Sequence, residues 1–344
     1  MTYTPPSHFG ATLRLHLNEN TAGCSPAVLA ALRSIDRLDT AFYPDYAGIT
    51  AATERWFGVP TGWVQLTNGL DEGLHVVAQA AARGRLDAEA LIVEPAFEMY
   101  AACADAAGLI ATHIAPGPDF AFPLETLRRA ITPATRLITL TDPNNPTGLP
   151  IPAGAIEQIA LEAPGAFVLV DEAYAEFSGR TMIGPALDRH RRLIVGRTFA
   201  KAHGLAALRV GALVAHPETL ALIRRLLPPF SLNICAVRAL AAALDDRAYL
   251  DWYVAQSIES RALLYAFADR HGFRHWPSEA NFVLIRVGDR AAAVVDAAGV
   301  RGVALRDKSA APGCAGCIRV TAGVAEHTRA CLAVLEDVLA SRAN

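Results

Sequence analysis

Residues Arg192–Pro217 read RLIVGRTFAKAHGLAALRVGALVAHP. Leu193, Ile194 and Val195 form one short apolar run, and Val210 to Ala215 form another. Short apolar runs bounded by turn residues read as buried strands. The connection between them is polar, contains glycine and carries one lysine, Lys201, with Arg209 just before the second run. Such a lysine has two readings. It is a solvated side chain on a surface turn, or a partly buried amine with a lowered pKa, suited to Schiff-base chemistry. The stretch alone supports both equally, so its neighbours must decide.

Working outward, strands and helices alternate. ALIVEP (90–95), Leu109 to Ile114, Arg136 to Leu140 and FVLVD (167–171) read as strands. Helices are expected from Leu70 to about 82, around 101–107, 124–131 and 152–163. Continuous apolar strands separated by helices imply a mostly parallel sheet with both faces covered, an α/β fold. Polar residues gather at the carboxyl ends of these strands, where open α/β sheets bind ligands. After Pro217 helical periodicity dominates, from 218 to 227 and again from Cys235 to about Arg270. Strands follow at 282–287 and 317–321, then a last helix from Val324 to Ser341. This mixed part reads as a second, smaller α+β domain. The expected division is a large domain over 41–234, with 1–40 and 235–344 forming the small one. Ser25-Pro26 is an N-cap followed by proline at the first helical position, and Gly58-Val59-Pro60 ends the next helix.

The strand ends carry a constellation. Asp171 follows four buried apolar residues, and an acid there is costly without a cationic or hydrogen-bonding partner. Asn144 and Asn145 end the preceding strand region in DPNNPTG, and Tyr174 lies just past Asp171. Thr67-Asn68-Gly69 turns into a helix whose first turn carries Asp71 and Glu72. That is ordinary capping, or a helix start that offers free amides to a phosphate. One ligand uses all of these at once: pyridoxal 5′-phosphate. The lysine would form its Schiff base, the acid would pair with its pyridine nitrogen, Asn and Tyr would bond the ring 3′-oxygen, and arginine with helix amides would hold the phosphate.

The motifs LNEN, YPD, TNGLDE, EPAF, DPNNPTG, VLVDEAYAEF, RTFAKAHGLAALRVG, SEANFVLIRV and IRVTAG occur in that order across nearly the whole chain. In this the sequence resembles the fold type I, class I/II aminotransferases, and among them most closely the histidinol-phosphate aminotransferases. The resemblance implies a large domain with a mostly parallel mixed sheet flanked by helices. It implies pyridoxal phosphate as cofactor, an amino donor and a keto-acid acceptor as substrates, and a homodimer. It implies Lys201 as the Schiff-base lysine and proton carrier, Asp171 as the pyridine-nitrogen partner, and Asn145 and Tyr174 as 3′-oxygen ligands. Phe97 would stack on the ring, a role compatible with core packing. Gly69, the amides of Leu70 and Asp71, Thr198 and Arg209 would form the phosphate cup. Tyr43 would reach the cofactor phosphate and substrate of the partner subunit. Arg319 would grip the substrate's anionic group, and Asn20 would lie near the substrate.

The chain also departs from that pattern. Ala200 stands where the family usually has serine, and His203 where it usually has phenylalanine. Thr21 and Ala22 replace a proline and an aromatic that would face the substrate. Histidinol phosphate with 2-oxoglutarate is the leading substrate pair. An aromatic or other amino acid of specialised metabolism is a second reading, and decarboxylation of an amino-acid phosphate on the same scaffold is a third. A non-enzymatic binding protein on this fold is disfavoured by the complete cofactor set.

Composition bounds the rest. A chain of 344 residues with 52% apolar and 19% charged residues supports a large core. A net charge of −3 without a polybasic run argues against nucleic acid or an anionic membrane surface. The opening MTYTPPSHFG has no basic, apolar leader, so a cytoplasmic enzyme is expected. Six cysteines then read as reduced thiols, with Cys314 and Cys317 an isolated CxxC in a loop rather than a metal site.

Overall fold

The computed structural model describes residues 12–340. The N-terminal stretch read above for a leader and the end of the last helix at residue 341 lie outside the described residues. Strand β1 (Leu13–Arg14) comes first. A seven-stranded sheet then contains β2 (Val64–Thr67), β3 (Glu89–Val93), β4 (Ile110–Ile114), β5 (Thr135–Thr141), β6 (Phe167–Asp171), β7 (Leu193–Thr198) and β8 (Gly211–Ala215). Its order is β2-β8-β7-β6-β5-β3-β4. Strands β3 to β7 pair in parallel, whereas β8 runs antiparallel to both β7 and β2. A second sheet joins β9 (Arg274–His275), β10 (Phe282–Arg286), β12 (Arg306–Asp307) and β13 (Cys317–Thr321), while β11 (Val303–Ala304) pairs in parallel with β1.

The helices in chain order are α1 (Pro26–Arg33), α2 (Ala47–Phe57), α3 (Gly69–Ala82), α4 (Met99–Ala106), α5 (Leu124–Ala130), α6 (Ala155–Glu162), α7 (Ala175–Ser178), α8 (Pro185–Arg189), α9 (Pro217–Arg224), α10 (Ile234–Asp245), α11 (Arg247–Arg270), α12 (Ala291–Val300) and α13 (Ala325–Ala340). The large sheet is covered on both faces, which explains its unbroken apolar strands. Side chains alternate across it. Val168, Val170, Leu193 and Val195 pack into one layer with α6 and α10. Leu169, Ile194 and Leu213 pack into the opposite layer with α3, α4 and α9.

Three features differ from the sequence reading. Strand β2 was missed, because four residues with Gln65 in their midst give little apolar signal. The helical stretch after Cys235 breaks at Asp246, whose carboxylate accepts the Tyr249 amide and starts α11 as a new helix. Helices α1 and α10, expected in the small unit, instead contribute Val28, Ala236, Ala239 and Leu240 to the core of the large sheet. The core of the small unit is built from Leu15 together with α11, α12, α13, β10 and β13. We infer that the division between the units falls after α10.

The capping readings fit the geometry. The Ser25 hydroxyl accepts the Val28 amide at 3.3 Å, and Gly58 ends α2 in the left-handed conformation. No helix among the described residues is long and apolar enough to cross a membrane.

Candidate active site

A cavity of about 250 Å³ opens at the carboxyl ends of β5, β6 and β7, with the small unit over it. Its wall includes Leu70, Asp71, Phe97, Asn145, Asp171, Tyr174, Thr198, Lys201, Arg209 and Arg319. Residues far apart in sequence thus meet because parallel strands all end at one edge.

Lys201 lies in the turn after β7. Its Nζ donates to the Leu17 carbonyl at 2.9 Å. Burial, helped by the nearby Arg319 cation, lowers its pKa to about 8. Asp171, at the end of β6, is 5% exposed. Burial raises its pKa to about 6, against the pull of hydrogen bonds from the Tyr100 hydroxyl (2.6 Å) and the Ala173 amide (2.9 Å). The Tyr174 hydroxyl accepts from Asn18 Nδ2 at 3.0 Å, and burial pushes its pKa up to about 12.

The start of α3 forms a compact cradle. Gly69 has φ +74°, and Asn68 gives the helix no side-chain cap. Arg209, itself left-handed at φ 53°, places its guanidinium here and binds Asp71 Oδ2 at 2.8 Å. A Cβ on Gly69 would lie 2.4 Å from Arg209 Nη2, and one on Gly211 would lie 2.6 Å from the Leu70 nitrogen. The Thr198 hydroxyl accepts the Ala200 amide at 3.2 Å, which leaves its own proton free to donate. Uncapped helix amides, a hydroxyl and a guanidinium are the donor set a phosphate requires. A buried carboxylate, an aromatic wall at Phe97 and an amine of lowered pKa complete a donor set that fits pyridoxal phosphate.

Arg319, on β13, donates to Asn145 Oδ1 at 2.5 Å and to the His16 carbonyl at 2.7 Å. Beside it lie two cations that the sequence reading missed, Arg306 and Lys308. Lys308 is 6% exposed and pairs with Glu98 at 3.0 Å, so it bridges the two units at the cavity wall. Nothing near these residues in the sequence marked them, because β12 reaches the cavity only through its pairing with β13. Tyr100 and Thr141 were also missed, although Tyr100 lies three positions after Phe97 in EPAFEMY.

Two expected site residues lie elsewhere. Asn20 does not line the cavity: its amide donates to the Ala202 carbonyl and its carbonyl accepts the Ala22 amide, both at 2.9 Å. It therefore braces the lysine turn from behind, and Asn18 takes the place facing the cavity. Tyr43 is 77% exposed and stacks on Phe230 with ring centroids 4.1 Å apart, outside this chain's own cavity. His203 is buried between Trp56 and Phe199, and burial lowers its pKa to about 4, so it stands apart from the cavity as a neutral ring. Cys314 and Cys317 are buried with Trp276 and Leu284, and burial pushes Cys314 up to about 12.

This fold and this donor set define a pyridoxal-phosphate enzyme of fold type I. The chain belongs to the class I and II aminotransferase family, whose model matches residues 12–339. It is 38% identical to histidinol-phosphate aminotransferase 2 of Ralstonia nicotianae, over 95% of this chain and 89% of that one. It is 35% identical to histidinol-phosphate aminotransferase 1 of Cupriavidus pinatubonensis, over 95% of this chain and 88% of the relative. The crystal structure of histidinol-phosphate aminotransferase from Sinorhizobium meliloti in complex with pyridoxal-5′-phosphate superposes with a TM-score of 0.86, at 25% identity, covering 96% of this chain and 92% of that one. The protein is a pyridoxal-phosphate-dependent aminotransferase.

Proposed function

We propose that this aminotransferase moves the amino group of histidinol phosphate to 2-oxoglutarate, giving imidazole-acetol phosphate and glutamate. The observation that carries this reading is the group of three cations, Arg306, Lys308 and Arg319, on one wall of the cavity that holds Lys201. A phosphate monoester has more charge to neutralise than a carboxylate, and an arginine fork accepts either. The two relatives at 38% and 35% identity support the same substrate.

When bound, pyridoxal phosphate supplies an aldehyde that joins covalently to an amine and a pyridinium ring that takes up the electron pair left at Cα. Lys201 Nζ is the base in this proposal. It takes the proton from Cα of the amino donor and returns one to Cα of the product in the second half-reaction. Its lowered pKa keeps a useful share of the amine neutral near pH 8. Asp171 would hold a positive charge at the ring nitrogen, and Asn145 and Tyr174 would bond the ring oxygen. Phe97 would cover the ring face. The Leu70 and Asp71 amides, Thr198 and Arg209 would hold the phosphate, and Arg209 would leave Asp71 to do so. Arg319 would hold the substrate anion, glutamate's carboxylate in one half-reaction and the phosphate in the other. Tyr43 would serve the partner's site in a homodimer.

The test is a half-reaction screen. Histidinol phosphate and glutamate should each convert the bound cofactor to its amine form, seen as loss of visible absorbance, and histidinol phosphate together with 2-oxoglutarate should give glutamate. Carbon dioxide release from an amino-acid phosphate, with no transfer from histidinol phosphate, would overturn the proposal in favour of decarboxylation.

A further inference from the structure

Tyr100 is the second residue of α4, 3% exposed, and its hydroxyl reaches across to β6 and β5. It lies 2.6 Å from Asp171 Oδ2 and 2.8 Å from Thr141 Oγ1. A phenol has one proton. A carboxylate is the stronger acceptor, so that proton goes to Asp171, and the Thr141 hydroxyl donates into the tyrosine oxygen. With the Ala173 amide on Oδ1, each oxygen of Asp171 has one fixed donor, and each keeps acceptor capacity for the cavity. The same side chain has a second contact. Its ring stands edge-on to Phe97, at 90° with centroids 5.9 Å apart.

We infer that Tyr100 is a positioning residue for two cofactor contacts at once: its hydroxyl, backed by Thr141, fixes the Asp171 carboxylate, and its ring fixes the face of Phe97. A buried tyrosine that needed only a partner could use any backbone carbonyl. This one spends its proton on a carboxylate that lines the cavity. The bond favours the charged form of Asp171 and so favours the ring-nitrogen pair. The groups that face Asp171 are Tyr100 from α4, Thr141 from β5, Tyr174 and the Ala173 amide beyond β6, Lys201 beyond β7 and Asp71 from α3. Lys201 works with Tyr100, whereas Asp71 works against it. The inference rests on Asp171 being the partner of the ring nitrogen.

The test equilibrates holoenzyme across pH 5 to 9 and reads retained cofactor from its visible absorbance after gel filtration. Visible-region circular dichroism reports how the ring is seated. Removing the Tyr100 hydroxyl raises the Asp171 pKa, so the acid limb of retention moves to higher pH. Tyr100→Phe should shift that limb upward by about one pH unit, while the dichroism stays as in the wild type. Thr141→Val should give a smaller shift in the same direction, and Thr141→Ser should restore the wild-type limb. Tyr100→Leu should show both the shift and a loss of dichroism. A wild-type limb in Tyr100→Phe, or wild-type dichroism in Tyr100→Leu, would overturn the inference. Asp171→Asn separates the two levels: an unchanged retention profile in that variant would remove the Asp171 assignment itself.

Discussion

The guanidinium of Arg209 occupies the space where a side chain on residue 69 would begin, since a Cβ on Gly69 would lie 2.4 Å from Arg209 Nη2. The helix start and the arginine can approach this closely because residue 69 has no side chain and adopts φ +74°. Gly69→Ala should therefore displace Arg209 and strain the backbone. We expect cofactor affinity to fall by about tenfold or more and the melting temperature to drop, by a stability loss on the order of 1–2 kcal/mol. Fluorescence titration of the apoprotein and a thermal melt read the two effects. Unchanged cofactor affinity would count against the cradle.

Lys201 should react as an amine whose pKa is about 8 rather than near 10.5. The group is a cation at low pH, and only its neutral form is nucleophilic. The rate of cofactor incorporation into apoprotein should thus rise with pH and level off just above 8. An ordinary lysine would keep rising to about 10.4. Stopped-flow absorbance measures the rate, and Lys201→Ala should lose both incorporation and turnover.

Arg319 holds Asn145 and the His16 carbonyl with two separate nitrogens, a fork that lysine cannot reproduce. Arg319→Lys should weaken both substrates, by about 2 kcal/mol or roughly thirtyfold in KM. Lys308→Met should act selectively and raise KM for the phosphorylated substrate more than for glutamate. Steady-state kinetics with each substrate varied in turn compares the two. Equal effects of Lys308→Met on both would remove it from phosphate recognition.

Tyr43 is exposed and lines a different surface pocket from its own chain's cavity. If it completes the partner's site, two defective homodimers should complement. Mixing Lys201→Ala with Tyr43→Ala and allowing subunit exchange gives hybrids with one fully wild-type site. Activity should then exceed that of the unmixed Tyr43→Ala enzyme at the same concentration of active lysines. No gain after exchange, with the exchange shown by native mass spectrometry, would remove Tyr43 from the partner's site.

Chemistry was more legible than architecture. Lys201, Asp171, Asn145 and Tyr174 could be named because they sit at strand ends flanked by apolar runs and turn residues, and burial there excludes idle charges. Tyr100 carried no such signal, since it stands in EPAFEMY just before the expected helix rather than at a strand end. Its role depends on α4 lying across β5 and β6. Asn20 was placed by its motif, yet Asn18 lines the cavity in its stead, because the backbone turns at Asn18 (φ 56°) and Asn20 is drawn onto the Ala202 carbonyl.

The sequence by itself determined the α/β alternation, the buried strands and the position of Lys201 between two of them. These follow from local periodicity and from the cost of burying a charge without a purpose. Only the tertiary structure decided that β8 runs antiparallel, that α1 and α10 belong with the large sheet, and that Arg306 and Lys308 join Arg319 over the cavity. Each of these depends on contacts between segments far apart in the chain, and hydrophobic burial, which drives them, carries no address in the local sequence.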